Sequence, residues 1–351
     1  MNRKEFSVAT YNLFNFQEPG KAMNPGQKKW TEDEFKLKVQ WTVWQLVTLD
    51  PDVVGLEELW SKKALEAVLS YNYGTKDAPK MLKDTYDALD KPATGKKIVC
   101  GALVRKGLLN GEPTWQDSFP EATRLELKED PADPQSPEIK VTINAFSRPV
   151  LRFQIKLRDD QPATEVFVAH LKSKLPTRVS KESWFVADRD KYENHQTALG
   201  AGISTIRRTA EAVALRVILT DVMKKEDPTP VIVLGDLNDS QTSNTANILT
   251  EQPQILVGGA LGGANVGLYT AQTLQEYRDT RDVYYTHVHQ GLRESLDHVL
   301  VSEEFYDNSR KRLWLFNGLV INNDHLNFEN HKETGTGDHG IVKASFKFDP
   351  A

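Results

Sequence analysis

Apolar residues follow two spacings along this chain, and together the two spacings predict a mixed α/β fold. Segments in which apolar residues alternate or run together over a few positions predict strands. These are residues 6–12, 52–56, 97–105, 140–146, 150–157, 165–171, 231–236, 295–301, 313–321 and 341–347. Apolar residues three and four positions apart predict amphipathic helices at residues 31–49, 61–69 and 203–223. Strands in pairs and runs with few helices between them are typical of a layered α/β sandwich, and not of a regular βαβ repeat.

Two of the predicted helices carry start signals. Thr31 precedes the first helix and Glu34 follows three residues later, which is the pattern of a capping box. Ser61 is the expected N-cap of the second helix. The polar stretch 172–200 precedes the third helix, and residues from 255 onward are predicted to form loops and short helices around the last strands.

Nothing in the sequence divides it into separate units. The 351 residues contain no repeat, no low-complexity block and no Pro/Ser/Gly-rich linker, so residues 1–351 are predicted to form a single domain. The Pro- and acid-rich stretch 129–138 is the best linker candidate. It is short and lies between strand-like segments, so it is predicted to be the loop of a surface hairpin.

Composition limits the class of protein. With 39% hydrophobic and 26% charged residues, the chain suits a globular protein with a large core. The one cysteine, Cys100, lies in the apolar run 98–104 and is predicted to be a buried, inert thiol. No apolar run approaches the 18 residues of a membrane span, and the N-terminus enters a strand without a signal-peptide core. The expected location is therefore the cytoplasm, or outside the cell if a leader has been removed.

The net charge of −5 gives no basic field that would attract duplex nucleic acid over long range. A cation bound at a site would still neutralise a phosphate group locally. The charge therefore disfavours tight, metal-free duplex binding and leaves metal-assisted phosphate chemistry open.

The segment 231–239 gives the most specific chemical signal. Four apolar residues predict a strand buried on both faces, and Asp236 and Asn238 follow at its end. Two residues apart on an extended chain, their side chains would point the same way. A carboxylate that can take a proton from water, beside an amide that can hold an oxygen, suits hydrolysis of a phosphate ester. An Asx turn that closes a core strand explains the same two residues equally well.

Five further strand ends carry polar side chains of the same kind. The residues concerned are Asn12, the pair Glu57-Glu58, His170 followed by Lys172 and Lys174, Asp297, and the pair Asp338-His339. Each has a structural explanation of its own, such as a turn, the start of a helix or a hydrogen-bonded histidine. Six such ends in one chain are hard to explain in that way, and they favour a shared site.

The ordered motifs resemble those of the DNase I-like endonuclease/exonuclease/phosphatase superfamily. They are Thr-Tyr-Asn-Leu, Leu-Glu-Glu-Leu, His-Leu-Lys-Ser-Lys, Gly-Asp-Leu-Asn-Asp, Leu-Asp-His-Val-Leu-Val-Ser and Gly-Asp-His-Gly, and they extend over nearly the whole chain. His-Leu-Lys-Ser-Lys and the preceding Arg148-Pro149-Val150 look most like the bacterial nuclease-like branch. The resemblance implies a four-layer αββα sandwich, with two mixed sheets packed face to face, helices outside, and a site where strand ends of both sheets converge.

The resemblance also implies a metal site and a set of catalytic residues. Asn12, Glu58 and Asp338 would hold a hard cation, and Mg²⁺ or Mn²⁺ suits these oxygen ligands. Asp236 would orient or deprotonate the attacking water, and Asn238 would contact the phosphate.

Three further residues complete that implied set. His339 would stabilise the transition state, with Asp297 holding its tautomer and its charge. His170 would be a second phosphate-contacting group and a leaving-group acid. Lys172 and Lys174 nearby are expected to disfavour its charged form. Arg148, Lys172 and Lys174 are expected to bind substrate.

The sequence departs from the familiar pattern at Glu57-Glu58, where a Gln-Glu pair is more usual. The extra carboxylate is expected either to alter metal affinity or to face away from the site.

The expected function is divalent-metal-dependent hydrolysis of a phosphodiester, with a nuclease favoured. The alternatives are a phosphatase or phosphodiesterase acting on a small molecule or lipid headgroup, and a binding module without activity. The binding module is disfavoured because both histidines and every carboxylate are present. The protein is expected to be a monomer, and DNA versus RNA and endo- versus exonuclease action stay open.

Specificity is expected to reside in the loops 17–30, 71–96 and 172–200. The last loop interleaves basic residues with aromatic ones, namely Lys172, Lys174, Arg178 and Lys181 with Trp184, Phe185 and Tyr192. Such a mixture suits a nucleic-acid strand, through phosphate pairing and base stacking. A solvated loop whose aromatic residues pack on the core is an equal alternative.

Charges on the long predicted helix form a cluster at Arg207, Arg208 and Glu211. Their i,i+3 and i,i+4 spacing predicts a salt-bridge network at the surface or between layers, without a catalytic role. Replacement of Arg208 by Gln is expected to cost at most about 1 kcal/mol of stability if the pair is exposed.

Overall fold

The structure is a computed structural model and describes residues 2–130, 132, 135–224, 229–251, 266–279 and 284–351. Residues 255–265 and 280–283 of the predicted loop region lie outside the described residues, as do residues 131, 133 and 134 of the predicted hairpin loop.

The described residues form strands and helices in a mixed order along the chain. The strands are β1 Glu5–Phe16, β2 Val53–Ser61, β3 Tyr86–Leu89, β4 Thr94–Arg105, β5 Thr114–Ser118, β6 Leu125–Leu127, β7 Ile139–Val141, β8 Ala145–Ile155, β9 Thr164–Val168, β10 Val231–Asp236, β11 Tyr269–Thr270, β12 His287–His289, β13 Leu292–Glu294, β14 Asp297–Val301, β15 Trp314–Asn322 and β16 Ile341–Phe348. The α-helices are α1 Glu32–Leu49, α2 Lys62–Leu69, α3 Ser183–Ala187, α4 Arg189–Tyr192, α5 Gln196–Met223, α6 Asn244–Thr250, α7 Ala271–Glu276 and α8 His331–Thr334. Short 3₁₀ turns lie at Leu82–Asp84, Glu193–His195, Glu303–Phe305 and Asp324–Asn327.

Two six-stranded sheets form the centre of the fold. The first has the order β15-β16-β1-β2-β4-β3 and the second the order β11-β14-β10-β9-β8-β5. Both are mixed, since β1 runs parallel to β2 and β9 parallel to β10, whereas the other pairs are antiparallel. Two small hairpins, β6-β7 and β12-β13, stand outside the sheets.

Three separate apolar cores define four layers. One core lies between the sheets and includes Val8, Val53, Val166 and Ile232. A second joins α1 and α2 to the outer face of the first sheet, and a third joins α5 to the outer face of the second sheet. Both sheets are therefore buried on two faces, which explains the continuous apolar runs of their strands. The predicted αββα sandwich is confirmed.

Local signals set the helix starts as predicted. Thr31 accepts a hydrogen bond from the backbone N–H of Glu34, and the Glu34 side chain accepts from the backbone N–H of Thr31. Ser61 caps α2 by accepting from the N–H of Lys63. Helix α5 begins at Gln196, earlier than the predicted residue 203. Its first two turns expose Leu199 and Ile203, so they lack the apolar periodicity from which a buried helix is predicted.

The predicted strand at 140–146 is wrong as a single element. Its first residues belong to β7, which pairs with β6 in a separate hairpin, and its last two belong to β8, which joins the second sheet. The apolar pattern does not show this change of partner. The hairpin predicted around residues 129–138 is confirmed by the pairing of β6 with β7.

Cys100 is fully buried between the sheets, as predicted. None of the described helices has the length and apolar character needed to cross a membrane.

Candidate active site

The topology brings five of the six polar strand ends to one edge of the sandwich. Strands β1 and β2 are parallel, so Asn12 and Glu58 lie at the same end of the first sheet. In the second sheet β14 is antiparallel to β10, and Asp297, its first residue, pairs directly with Asp236, the last residue of β10. Strand β9 is parallel to β10, so His170 follows it at the same edge.

The sixth end reaches that edge through β16. Because β16 is antiparallel to β1, the Asp338-His339 pair that precedes it lies beside the end of β1. Both sheets therefore contribute side chains to one site, as the resemblance implies.

Asp236 lies at the centre of this cluster and is 1% exposed. Its Oδ2 accepts a hydrogen bond from Asn12 Nδ2 at 3.1 Å, and it lies 3.4 Å from His170 Nε2 and 3.9 Å from His339 Nε2. Its Oδ1 accepts from the backbone N–H of Asn238 at 2.9 Å. Burial raises the pKa of Asp236 to about 7, with His339 lowering it and Asp297 raising it further. A carboxyl with that pKa is suited to accept a proton near neutral pH.

Asp297 and His339 form a buried dyad. His339 Nδ1 donates to Asp297 Oδ2 at 2.8 Å, which is the contact expected from the sequence. This bond leaves Nε2 directed towards Asp236. Burial opposes the charge on His339, but the carboxylates of Asp297 and Asp236 outweigh it and raise the pKa of His339 well above its ordinary value. These surroundings therefore favour the charged form of His339.

Asn238 reaches the site by a different route from the one expected. It lies past the end of β10 with a left-handed backbone (φ 55°), so the extended geometry assumed for residues 236–238 is wrong. The bond from its N–H to Asp236 Oδ1 is an Asx turn, and its side-chain Nδ2 donates to Leu171 O at 3.0 Å. The turn and the site are thus the same feature.

A bulge in β2 separates the two adjacent glutamates. Strand β2 continues past both to Ser61, its register shifts between Leu56 and Leu59, and Glu58 has a φ of 56°. Glu58 lines the cleft, whereas Glu57 is fully buried and accepts from Thr10 Oγ1 at 2.9 Å. Burial, and then Asp297, raise the pKa of Glu57 well above its ordinary value. Of the two outcomes expected for the extra carboxylate, it faces away from the cleft.

Asn12, Glu58 and Asp338 offer oxygens that fit a hard cation. Asp338 Oδ1 is buried, and none of the described residues hydrogen-bonds to it. Glu58 Oε2 accepts from the N–H of Asn15 at 2.7 Å, and Asn12 Oδ1 accepts from the N–H of Phe14 at 3.0 Å, which leaves further lone pairs on each group. Burial and then the neighbouring Asp338 raise the pKa of Glu58. A divalent cation would stabilise the negative charges of Glu58 and Asp338, and it would give the unpartnered Asp338 oxygen a ligand bond.

His170 has an acidic neighbour in space, namely Asp236, whose Oδ2 lies 3.4 Å from its Nε2. The sequence around His170 does not show this neighbour, because β9 and β10 are adjacent strands that are distant in sequence. The pKa of His170 is nevertheless well below its ordinary value, which is the direction expected. Burial is the main cause, and the positive charges of Arg148, His339 and Lys172 lower the pKa further. A neutral His170 can donate a hydrogen bond to Asp236 but has no cationic proton to give to a leaving group.

An open cleft of about 580 Å³ lies above these residues. Arg148 lines it and donates to Leu171 O at 3.0 Å. Lys174 also lines it, but its ammonium pairs with Glu294 at 2.6 Å and lies 3.6 Å from Asp239. Lys172 directs its ammonium to Ser173 Oγ at 3.2 Å. Of the three predicted substrate-binding residues, Arg148 is therefore placed best and Lys172 least well.

The cleft adjoins a second pocket of about 430 Å³, and Pro176 lines both. Arg178 and Lys181 line the second pocket. Of the loop aromatics, Phe185 is buried and Trp184 is 41% exposed. Some aromatic residues of the loop 172–200 thus pack inward, as one alternative expects, while Arg178 and Lys181 line a groove. Binding of a nucleic-acid strand by this loop stays a prediction.

Two residues near the site were missed from the sequence. His287 of β12 lines the cleft, with its ring 4.9 Å from that of His339. Its signal was the alternation His-Val-His just before the Leu-Asp-His motif. Lys38 of α1 is fully buried, and its ammonium donates to Thr336 O at 3.2 Å, beside the Asp338 turn. Burial lowers the pKa of Lys38 to about 7. Its signal was a charge on the apolar stripe of α1.

The charges on α5 form an inter-layer network that supports the site loops. Glu211 is fully buried, and it accepts from the backbone N–H groups of Ser147 and Lys172, each at 2.8 Å. Arg208 is 5% exposed and pairs with Asp239 at 3.3 Å. The small cost expected of an exposed Arg208 therefore does not apply.

Structures of known proteins share this fold. Zebrafish TDP2 in complex with a single-strand DNA product aligns at 13% identity over 98% of this chain and 100% of that chain, with a TM-score of 0.54. The human nocturnin catalytic domain with bound sulfate aligns at 12% identity over 99% and 96%, with a TM-score of 0.53. The mannosyl-6-phosphatase of Bacteroides thetaiotaomicron aligns at 14% identity over 98% and 100%, with a TM-score of 0.50. A search by sequence among curated proteins gave no match.

At these identities the structural likeness establishes the fold. Bacterial and eukaryotic proteins match about equally well, so the bacterial nuclease-like branch stays a prediction. The sequence profile described as the Endonuclease/Exonuclease/phosphatase family matches residues 9–339, a range that contains every residue of the site described above. With the two-sheet sandwich and the convergent strand ends, this match shows that the chain belongs to the Endonuclease/Exonuclease/phosphatase family.

Proposed function

We propose that the protein is a divalent-metal-dependent nuclease that hydrolyses phosphodiester bonds by attack of an activated water. The observation that carries the proposal is the surroundings of Asp236. This carboxyl has a pKa of about 7 and lies at the floor of the cleft, between the amide of Asn12 and the imidazoles of His170 and His339. The arrangement provides a base for water beside a cation for phosphate.

Each residue of the site has a proposed role that follows from its geometry. Asp236 takes the proton of the attacking water. Asn12 holds its carboxylate by a hydrogen bond, and His170 Nε2 lies 3.4 Å from it. His339, kept cationic by Asp297, stabilises the negative charge that develops on the phosphate oxygens. Arg148 at the cleft wall adds a second positive charge.

Asn12, Glu58 and Asp338 would hold the cation. When bound, a Mg²⁺ or Mn²⁺ ion polarises the phosphate and offsets the charge of the leaving oxygen. The oxygen-rich donor set favours these ions over softer ones.

The surroundings of the cleft support a nucleic-acid strand as the substrate. The adjoining pocket with Arg178 and Lys181 can receive a phosphate beyond the scissile one, which a polymer provides and a small monoester does not. The structure of TDP2 with a single-strand DNA product shows that a protein of this fold accommodates a strand.

A small-molecule phosphatase is the second candidate. A cleft of about 580 Å³ matches the size of a small-ligand site. The Bacteroides thetaiotaomicron neighbour is a mannosyl-6-phosphatase, so a protein of the same fold acts on a sugar phosphate.

A metal-dependent substrate panel tests the proposal. The panel contains single-stranded DNA, duplex DNA, RNA, nucleotides, inositol phosphates and bis(p-nitrophenyl) phosphate. We expect hydrolysis with Mg²⁺ or Mn²⁺, none in excess EDTA, and a large loss in Glu58→Gln. Glu32→Gln, the same change at an exposed position of α1, serves as the control. Equal hydrolysis in excess EDTA would show that the metal assignment is wrong.

Substitution of the basic residues of the second pocket distinguishes the two substrate classes. The double variant Arg178→Gln/Lys181→Gln should hydrolyse oligonucleotides more slowly and bis(p-nitrophenyl) phosphate at the normal rate. Cleavage of phosphomonoesters without cleavage of any nucleic acid would favour the phosphatase.

A further inference from the structure

A second group of potential metal ligands lies at the wall of the cleft. His287, Asp338 and His339 each offer one ligand atom, and these atoms all lie within 4.8 Å of one another. The backbone holds the group together, because His287 and His339 form a β-bridge. Their rings are 4.9 Å apart and inclined by 42°, so they do not stack face to face.

Two of the three residues have a buried atom without a partner. His287 Nδ1 and Asp338 Oδ1 are both inaccessible to solvent, and neither makes a hydrogen bond within the described part of the chain. Buried polar atoms are satisfied in the great majority of cases, so an unsatisfied one needs an explanation, such as a bound water, a bound ion or a catalytic role. Here two such atoms belong to one group of ligands.

The third residue is held as a metal ligand would be. Asp297 accepts the Nδ1 proton of His339 at 2.8 Å, which leaves Nε2 as the free ring atom. Metal-binding histidines usually donate their other ring N–H to a carboxylate in this way.

The donor set selects the kind of cation. Two imidazoles and one carboxylate suit Zn²⁺, whereas Mg²⁺ prefers oxygen ligands alone. Tetrahedral zinc holds its nitrogen ligands roughly 3.3 Å apart, whereas these atoms lie within 4.8 Å of one another. Side-chain rotations that move the ligand atoms by about an ångström would bring them to that distance. Three protein ligands leave a fourth position for water or a phosphate oxygen.

We propose that His287, Asp338 and His339 form a Zn²⁺ site that is distinct from the oxygen site of Asn12, Glu58 and Asp338. On binding, Zn²⁺ takes the Nε2 lone pair of His339, and the proton of that nitrogen passes to solvent. One consequence, which rests on the proposed function, is that Zn²⁺ inhibits hydrolysis. His339 bound to Zn²⁺ is no longer available to the phosphate. The sharing of Asp338 means that Mg²⁺ and Zn²⁺ compete.

Metal binding to the whole chain, without substrate, tests the site. Titration calorimetry with Zn²⁺ and visible absorption with Co²⁺ report affinity and geometry independently of activity. We expect one Zn²⁺ per chain and an intense tetrahedral Co²⁺ spectrum. His287→Phe, which keeps an aromatic ring, should weaken binding by at least tenfold and lose that spectrum. Asp297→Asn, which replaces the carboxylate partner of His339 by a neutral amide without removing a ligand, should weaken binding 10- to 100-fold.

Two controls confine the result to this site. His289→Phe alters a cleft histidine two residues along the same strand and should leave Zn²⁺ binding unchanged. Glu58→Gln removes a ligand of the oxygen site alone and should also leave it unchanged. If His287→Phe fails to fold by circular dichroism, His287→Gln replaces it.

Several outcomes would overturn the site. Undiminished Zn²⁺ binding in the folded His287 variant, or an equal loss in His289→Phe, would place the ion elsewhere, for example on Asp236, Asp297 and His339. The absence of stoichiometric binding would exclude the site altogether. Failure of Mg²⁺-dependent hydrolysis, with Zn²⁺ binding intact, would instead count against the proposed function alone.

Discussion

At the scale of single residues, the site is a set of buried ionisable groups whose protonation is set by their neighbours. Asp236, Asp297 and His339 are all at least 90% buried and lie within hydrogen-bonding or close Coulombic distance of one another. In such a setting burial raises the pKa of a carboxyl and makes it a better base, and an imidazole next to two carboxylates stays charged. The division of roles in the proposed mechanism follows from these surroundings.

The Asp297–His339 dyad should behave as one unit. Asp297→Asn and His339→Ala should reduce kcat/KM by similar factors, and the double variant should be little worse than either single one. His170→Ala should reduce kcat/KM by a further factor on the order of 10². This factor should multiply with that of Asp297→Asn, because His170 lies next to Asp236 and not next to Asp297. These variants are compared by kcat/KM at saturating Mg²⁺. If the Asp297 and His339 losses multiply independently, Asp297 has a structural role and no dyad exists.

The pH dependence should reflect Asp236. As a base it must be ionised, so kcat/KM should fall about tenfold per unit as the pH drops below the pKa of about 7. His339 has a raised pKa and should stay charged through that range, so its loss would appear only on the alkaline side. The measurement is kcat/KM from pH 5 to 10 with saturating metal. A flat profile between pH 5 and 7 would contradict the assignment of Asp236 as the base.

At the scale of elements, α5 does more than cover the second sheet. Its Glu211 binds the backbone at Ser147 and Lys172, and its Arg208 binds Asp239 next to Asn238. The helix thus fixes the two loops that carry His170 and Asn238. A loop held by buried charged groups keeps side chains in place more firmly than a solvated loop does.

Glu211→Gln tests this positioning role. The amide offers one acceptor oxygen where the carboxylate offers two, and it faces N–H donors with donors of its own. We expect a loss of about 2 kcal/mol of stability and a lower kcat. Asp221→Asn, a change to the amide at an exposed position of the same helix, is the control for thermal melting and activity. An unchanged kcat in a destabilised Glu211 variant would show that the network stabilises the fold without positioning the site.

At the scale of the whole molecule, the three cores share two sheets. The core between the sheets contains one face of β1 and β2, and the core under α1 and α2 contains the other. Loss of either core would leave a strand exposed on one apolar face. The layers should therefore unfold together.

Calorimetry tests the prediction that residues 1–351 form one cooperative domain. The chain should give a single transition with equal calorimetric and van't Hoff enthalpies, and light scattering should give the mass of one chain. Leu46→Ala in the core under α1 should lower the whole transition by about 2–5 kcal/mol without splitting it. Two transitions, with the half that contains α5 unaffected, would show that the sandwich consists of separable units.

The sequence by itself determined the features that depend on local pattern. Strand 231–236 and the capped helix that follows Thr31 were predictable because burial on both faces and a capping box are written into consecutive residues. The family motifs likewise identified Asp236, Asp297 and His339 as residues of one site. The strand at 140–146 was not predictable, since the exchange of pairing partner leaves no trace in the apolar pattern.

The tertiary structure alone decided the directions and the protonation of side chains. Register between strands distant in sequence determines the bulge at Glu58, the contact of Asp236 with His170 and the place of His287 at the cleft. The left-handed Asn238 belongs instead to a local Asx turn, which the sequence offered as one of two alternatives. A carboxyl pKa depends on burial and on charges brought near by the fold, which consecutive residues do not encode. The residue types of the site were therefore set by sequence, whereas their chemistry was set by packing.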